Sequence, residues 1–394
     1  MDDATAMLAT ITGRDRPGLT ARLLDALAEH GAVLLDMEQV VIHGRLTLGI
    51  LFKVGVEGDL VDRALQQAAD DLGLDLEVER VAARRPGSRG ERHVVTVLGQ
   101  PLRAASLSAL SERIAACGGN IDRVQQLARY PITCLELVVS GCGDDLLRQR
   151  LTAEAAEQRV DIAVQPASLM RRAKRLVCMD VDSTLVQGEV IEMLAAHAGR
   201  REEVAEVTER AMRGELDFEA SLRERVAMLE GVPATALDKV RDDLELTPGA
   251  RTLVRTLKRL GYHLGVVSGG FTHVIDPLAD ELGLDFAAAN ELEIVDGELT
   301  GRLVGPVVDR AGKADLLERF AAQAGVPLSQ TVAVGDGAND LDMLARAGLG
   351  IAFNAKPAVR ERADTSVSVP YLDAIIFLLG ITREEVEMAE RAEA

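Results

Sequence analysis

The stretch Leu176-Val177-Cys178-Met179-Asp180-Val181-Asp182-Ser183-Thr184 decides how this chain is read. Its apolar run is that of a short strand buried on both faces, and it ends in two aspartates one residue apart. On an extended backbone residues i and i+2 point to the same side. Asp180 and Asp182 therefore emerge together at the carboxyl end of a strand, where one carboxylate can attack while the other moves a proton. An exposed acidic loop has the same composition, so the pair acquires meaning only from what accompanies it.

Three further pieces accompany it. The run YHLGVV (262–267) is a second strand, followed by Ser268-Gly269-Gly270. A hydroxyl and unhindered backbone N–H groups at a strand end suit an anion. Lys313, in DRAGKADLL (309–317), stands at the start of a helix and can balance phosphate charge. The run TVAV (331–334) leads into Gly335-Asp336-Gly337-Ala338-Asn339-Asp340. Two carboxylates on a glycine-rich strand-to-helix turn suit a hard cation bound through oxygen. With GLGIAF (348–353), these runs alternate with helical segments, the signature of a parallel sheet covered on both faces. Residues 190–239 lack strand character and read as several amphipathic helices. Inserted after the first strand, they would stand above the carboxyl ends of the sheet, where open α/β sheets bind ligands.

Upstream lie two blocks of one pattern. In the first, AMLATITG (6–13), AVLLDMEQVVIHG (32–44), RLTLGILFKVG (45–55) and LDLEVERV (74–81) alternate as strands; PGLTARLLDALAEHG (17–31) and DLVDRALQQAADDLG (59–73) have helical spacing. The second repeats this order from HVVTVLG (93–99) to DIAVQPA (161–167). Each is β-α-β-β-α-β, a ferredoxin-like unit with sheet edges left to be managed. Gly13 and Gly99 end the first strands, and Gly31 and Gly118 close the first helices. The segments AARRPGSRGER (82–92) and QPASLMRRAKR (165–175) read as linkers. The domains expected are 1–83, 93–166 and 174–394, with a helical cap at about 190–245.

Taken together, the four strand-end pieces resemble the haloacid dehalogenase superfamily, whose motifs occur in this order. The resemblance is closer to its phosphoserine phosphatases, over Lys174 to about Ile381, through DVDSTLVQGEVIEMLA (180–195), SGGFTHVIDPLADELGLDFAAANELEIVDGELTG (268–301) and GDGANDLDML (335–344). The upstream blocks resemble ACT domains, the small-molecule sensing modules of amino-acid metabolism. GRDRPGLTARL (13–23) matches their first loop, whereas the second block has GQPLRAASLSAL (99–110) in its place. The fold implied is α/β: a Rossmann-like core with a helical cap, preceded by two ferredoxin-like domains.

That resemblance implies a phosphatase hydrolysing O-phospho-L-serine through an aspartyl-phosphate, the last step of serine synthesis. It assigns Asp180 as nucleophile and Asp182 as general acid and base. Mg²⁺ is implied as cofactor, held by the carboxylates of Asp180 and Asp336 and the backbone carbonyl of Asp182. Asp340 would orient Lys313 or a metal-bound water. Ser268, Gly269, Lys313 and Asn339 would hold the phosphoryl group. In the cap, Glu189 matches the family's ammonium site and Arg225 its carboxylate site, with Met212 and Phe218 as the apolar wall. The other reading of Arg225 is a solvated helix face, and of Met212 and Phe218 plain cap core. Transfer to another alcohol, another small phosphate ester, or a sensing regulator with a relic catalytic domain are the alternatives. The ferredoxin-like domains are expected to form a homodimer and to bind an amino acid, L-serine, near Gly18.

Bulk properties agree with such a role. A formal charge of −19 and a pI of about 4.8 disfavour nucleic acid and anionic membranes as partners. The N-terminal MDDATAMLATITG has no basic, then apolar, targeting pattern. Ala374 to Leu379 is too short to span a bilayer. The four cysteines form no CxxC pair and are expected as reduced thiols in a cytoplasmic protein.

Overall fold

The computed structural model describes residues 5–54, 58–82, 91–212 and 216–392. Most of the linker expected at 82–92 lies outside them. The chain divides into two compact units, Met1–Ser88 and Arg89–Ala394.

The first unit runs β1 (Thr5–Arg14), α1 (Leu19–Ala28), β2 (Val33–Ile42), β3 (Arg45–Lys53), α2 (Gly58–Leu72), β4 (Asp75–Ala82). Its strands pair antiparallel in the order β2-β3-β1-β4. Leu46, Leu48, Ile50 and Phe52 alternate into the core, where Leu19, Leu23 and Leu27 of α1 meet them at helical spacing. Gly18 caps α1 at φ 88°, a left-handed conformation open to glycine without strain. At one edge, β2 leaves Val33, Leu34, Leu35, Val40, Val41 and Ile42 exposed.

The second unit opens with β5 (Arg92–Gly99), α3 (Ala104–Ala116), β6 (Asn120–Ala128), β7 (Thr133–Ser140), α4 (Asp144–Gln158) and β8 (Asp161–Pro166), the same order as the first. It continues with β9 (Leu176–Met179), the cap helices α5 (Val190–His197), α6 (Arg201–Met212), α7 (Phe218–Ala227) and α8 (Thr235–Asp243), then α9 (Ala250–Arg259), β10 (His263–Phe271) and α10 (Thr272–Leu282). The hairpin β11 (Phe286–Val295) and β12 (Glu298–Val304) follows, then α11 (Arg310–Ala324), β13 (Thr331–Gly335), α12 (Leu341–Arg346), β14 (Gly350–Phe353), α13 (Pro357–Arg360), β15 (Thr365–Val367), α14 (Ile375–Leu378) and α15 (Arg383–Arg391).

One sheet of eleven strands runs through this unit, ordered β12-β11-β10-β9-β13-β14-β15-β8-β5-β7-β6. Strands β11, β10, β9, β13, β14 and β15 are parallel. The ferredoxin-like strands join them through an antiparallel bridge between Thr365 and Ala163. The seam is bonded rather than merely adjacent. The Asp161 carboxylate accepts from Ser368 N at 2.7 Å and from Ser368 Oγ at 2.6 Å, and Thr365 Oγ1 donates to Ile162 O at 2.8 Å. The segment 165–175, read from sequence as a linker, is anchored. Arg171 pairs in the interior with Glu136 at 2.7 Å, and Lys174 Nζ donates to Ser329 O and Gly348 O. Arg171 and Lys174 are thus taken up by partners distant in sequence, which composition alone does not show.

The cap leans on the β11–β12 hairpin: Gly231 N bonds Leu299 O at 2.9 Å, and Ala234 N bonds Gly297 O at 2.8 Å. Ala374 to Leu379 is core rather than surface. Cys134, Cys142 and Cys178 are buried and Cys117 half-buried, all as free thiols. No described helix is long and apolar enough to cross a membrane.

Candidate active site

At the carboxyl ends of β9, β10 and β13 a cavity of about 580 Å³ opens between the sheet and the cap. Asp180 follows the last residue of β9, and its N–H still bonds Val334 O of β13 at 2.8 Å, so the sheet itself fixes its backbone. One carboxylate oxygen accepts from Val181 N at 2.7 Å; the other meets Lys313 Nζ at 2.7 Å. The fully buried Lys313 also donates to Asp340 Oδ1 at 2.7 Å, and Asp340 Oδ2 accepts from Gly337 N at 2.9 Å. Asp309 caps α11 by accepting from Gly312 N, which sets the turn carrying Lys313.

Asp182 lies beside this row. Its Oδ1 accepts from Val190 N at 2.7 Å, and its Oδ2 from Ser268 Oγ at 3.3 Å. Ser268 Oγ in turn accepts from Gly270 N at 2.8 Å. Asp336 accepts from Thr184 Oγ1 at 3.2 Å. Oxygens of Asp180, Asp336 and Asp340 lie within 4.8 Å of one another.

So many carboxylates in so little water raise each other's proton affinity. Burial, then Asp340, lifts Asp180 well above the ordinary carboxylate range. Burial lifts Asp182 as well, against its hydrogen bonds from Val190 and Ser268. Asp336 is pushed up to about 6 by burial and then by Asp340. Burial works to lower the Lys313 pKa, but Asp180 and Asp340 together more than reverse it, so the ammonium stays charged. Four carboxylates around one lysine repel one another, and a cation on their hard oxygen donors would relieve that repulsion. That donor set fits a divalent cation such as Mg²⁺.

The cap supplies the opposite wall. Phe218, at the start of α7, lies over Gly269; a Cβ at Gly269 would stand 3.2 Å from its ring. A side chain there would have to push the ring aside by a few tenths of an ångström, so glycine lets the cap approach most closely. Arg225 and Glu189 are half-buried and line the same cavity. Burial lowers the Arg225 guanidinium, with Glu189, Asp182 and Glu192 pulling it back. Glu189 is pushed up to about 7 by burial, then by Asp182 and Asp336. Arg225 is thus no solvated helix face.

Of the residues singled out in the sequence, Asp180, Asp182, Glu189, Phe218, Arg225, Gly269, Asp336 and Asn339 line the cavity. Ser268, Lys313 and Asp340 stand buried behind them. Met212 ends α6, and its side chain lies outside the described residues. Gly18 belongs to the other compact unit. Sequence reading passed over Thr184, although it closes the first motif. It also passed over Asn290, which bridges Gly269 O at 2.9 Å and Val308 N at 2.8 Å and so braces the Ser268 loop. A polar residue inside the run FAAANELEIV was the available signal, since buried amides are there to bond. Arg310 and Lys356 at the cavity wall carried no such signal.

Comparison with known proteins places relatives beside this geometry. A haloacid dehalogenase-like hydrolase profile matches residues 174–348, and ACT domain profiles match 5–79 and 91–165. The chain is 60% identical over 392 residues to a phosphoserine phosphatase of Streptomyces coelicolor, covering 98% of this chain and 95% of that one. It is 56% identical over 400 residues to phosphoserine phosphatase SerB2 of Mycobacterium tuberculosis, covering 99% and 97%. An unliganded probable phosphoserine phosphatase from Vibrio cholerae superposes with a TM-score of 0.59 at 37% identity, covering 76% of this chain and 88% of that one. A phospho-aspartyl intermediate analogue of a phosphoserine phosphatase superposes at 0.50 with 44% identity, covering 52% and 98%.

Proposed function

Since the chain belongs to the phosphoserine phosphatase family of haloacid dehalogenase-like hydrolases, we propose that its cavity hydrolyses O-phospho-L-serine through a phosphorylated Asp180, the closing step of serine synthesis. The observation that carries this reading is the cavity's two opposed walls: Asp180, Asp182 and Asp336 on the sheet side, Arg225 and Glu189 on the cap side.

In the first step a carboxylate oxygen of Asp180 bonds to phosphorus as the bond to the serine oxygen breaks. Asp182, whose raised proton affinity suits an acid, gives its proton to that departing oxygen. In the second step a water attacks phosphorus, Asp182 takes the water's proton, and the acyl phosphate opens to Asp180 and inorganic phosphate. Lys313 places its charge against the phosphoryl oxygens, and Asp340, tied to both Lys313 and Gly337 N, holds it there. The Ser268 hydroxyl and the Gly269 N–H bind phosphoryl oxygens, with Asn339 at the same rim. A magnesium ion on Asp180, Asp336 and the Asp182 carbonyl would offset the repulsion between an anionic nucleophile and an anionic substrate. Arg225 forks onto the substrate carboxylate and Glu189 receives its ammonium. Phe218 excludes water.

We further propose that the first unit joins two copies of the chain and binds L-serine beside Gly18, lowering activity. The exposed apolar edge β2 and the α1 N-terminus at Gly18 support this.

The test is a phosphate-release screen over phosphoserine, phosphothreonine, a phosphotyrosine peptide and sugar phosphates, with and without Mg²⁺. Phosphoserine should be preferred and release should stop on chelation. A sugar phosphate turned over faster would overturn the substrate, and turnover undiminished by chelation would overturn the metal.

A further inference from the structure

A second groove, of about 630 Å³, lies along the seam where β8 meets β15. One wall is α4 with the strand that follows, contributing Ala156, Val160 and Ile162. The other is α13 and the run into β15, contributing Pro357, Arg360 and Thr365. Val160 and Ile162 form a buried apolar floor, while Ala156 is exposed at the edge.

The charges around the groove are unevenly committed. Arg148 donates to Asp364 O at 3.1 Å and stands 3.7 Å from Asp144. The Asp364 carboxylate accepts from Gly350 N at 2.8 Å. The carboxylates of Asp145 and Glu361 stand exposed at the rim and, among the described residues, form no ion pair. Of the two arginines that line the groove, Arg360 is the uncommitted one. It is half-buried, yet among the described residues its guanidinium makes no hydrogen bond or ion pair, and its field reaches Asp161 only at longer range. A guanidinium left without an anion beside an apolar floor is one half of a recognition pair.

We propose that this groove binds a small amphipathic monocarboxylate, with the carboxylate on Arg360 and the hydrocarbon against Ala156, Val160 and Ile162. The site is coupled to the catalytic cavity through α13 and the residue before it. Pro357, Arg360 and Glu361 face the groove, whereas Lys356, Ala358 and Val359 line the cavity. An occupant that draws Arg360 toward α4 displaces the element that carries Lys356. By linkage, such an occupant and a substrate in the cavity change each other's affinity by the same factor.

The experiment uses the full chain and octanoate as probe, followed by isothermal titration calorimetry. Saturable binding at one site per chain is expected. It should weaken about tenfold for octan-1-ol, which lacks the carboxylate, and about tenfold in Arg360→Gln, the loss of a charge-assisted bond. Ala156→Trp, at an exposed position, should fill the groove and abolish binding with the thermal midpoint unchanged. Absence of saturable heat, equal binding of octan-1-ol, or undiminished binding in Arg360→Gln would each overturn the site. Saturating octanoate should also shift KM for a phosphate ester in the wild type and not in Ala156→Trp; an unchanged KM in the wild type overturns the coupling alone.

Discussion

At the scale of single residues, the proposed chemistry rests on the row Asp180–Lys313–Asp340. Asp180→Asn keeps the shape of the side chain but cannot form an acyl phosphate. We expect it to fold normally and to lose at least about a thousandfold in kcat, ~4 kcal/mol of barrier; single-turnover assays that retained more would remove Asp180 from the nucleophile's place. Arg225→Ala should raise KM for phosphoserine by about ten- to a hundredfold, the loss of a charge-assisted hydrogen bond, while hardly changing KM for an ester without a carboxylate. Equal effects on both esters would detach Arg225 from the substrate carboxylate. Glu189 adds a pH signature. Its folded pKa is raised to about 7, so it gains a proton, and loses its charge for an ammonium, as pH falls through that value. kcat/KM for phosphoserine should therefore drop below about pH 7, and the profile of Glu189→Gln should lack that step. A step that survives in Glu189→Gln belongs to another group.

At the scale of elements, the seam between β8 and β15 makes the second ferredoxin-like block part of the catalytic unit. Asp161 is its best-placed latch, buried and bonded twice to Ser368. Asp161→Ala would remove two hydrogen bonds to the exposed Ser368, each worth about 0.5–1.5 kcal/mol. A lowered thermal midpoint is the expected readout, and an unchanged midpoint would show that the seam contributes no stability. The elements also show where a sequence can be read. Strands β9, β10 and β13 were legible because each is a short apolar run closed by glycine, serine or aspartate, and those ends carry the motifs; β14 was legible from its apolar run alone. The cap was legible from helical spacing in 190–239. Strand β15 was not: three residues hold too few alternations to register a period. Nor was the seam, because a strand does not encode which edge it will meet. The partly exposed hairpin β11–β12, which supports the cap, was passed over although Asp296-Gly297, both at positive φ, is the turn pair that marks a hairpin. Asn290 braces the carboxyl end of β10 from that hairpin; its place in an apolar run marks it as a buried amide, but what it braces appears only once β10 and the hairpin are placed in space.

At the scale of the whole molecule, charge and exposed apolar surface pull in opposite directions. Each chain carries a formal −19, so two copies repel at long range. Salt screens this beyond about 8–10 Å under physiological conditions, leaving short-range contact to decide association. The best such contact surface in the first unit is β2. It is an edge strand of ten residues whose backbone, among the described residues, lacks a neighbour on one side, and six of its large apolar side chains are exposed. Natural edges of this length are ordinarily blunted by lysine, proline or a covering element. This one has no lysine or proline along Val33–Ile42, and its blunting is confined to Asp36, Glu38 and an irregularity in pairing between Leu34 and Asp36, which leaves Val40–Ile42 open. A second β2 placed antiparallel across a two-fold axis would satisfy the backbone and cover the apolar side chains in one step. We therefore expect a dimer by sedimentation velocity at micromolar concentration, tightened by added salt because screening removes the repulsion without touching the apolar contact. Val40→Lys with Ile42→Lys puts two like charges on each copy's edge. Neither residue contributes to the core, so the variant should keep its circular dichroism spectrum and sediment as a monomer. If L-serine binds where the two first units meet, the same variant should lose its calorimetric signal for L-serine. Gly18→Val should lose it while remaining dimeric, since valine resists the left-handed conformation at φ 88°. A wild-type protein that sediments as a monomer at high salt would remove β2 as the dimer edge, and L-serine binding that persists in both variants would place the effector elsewhere.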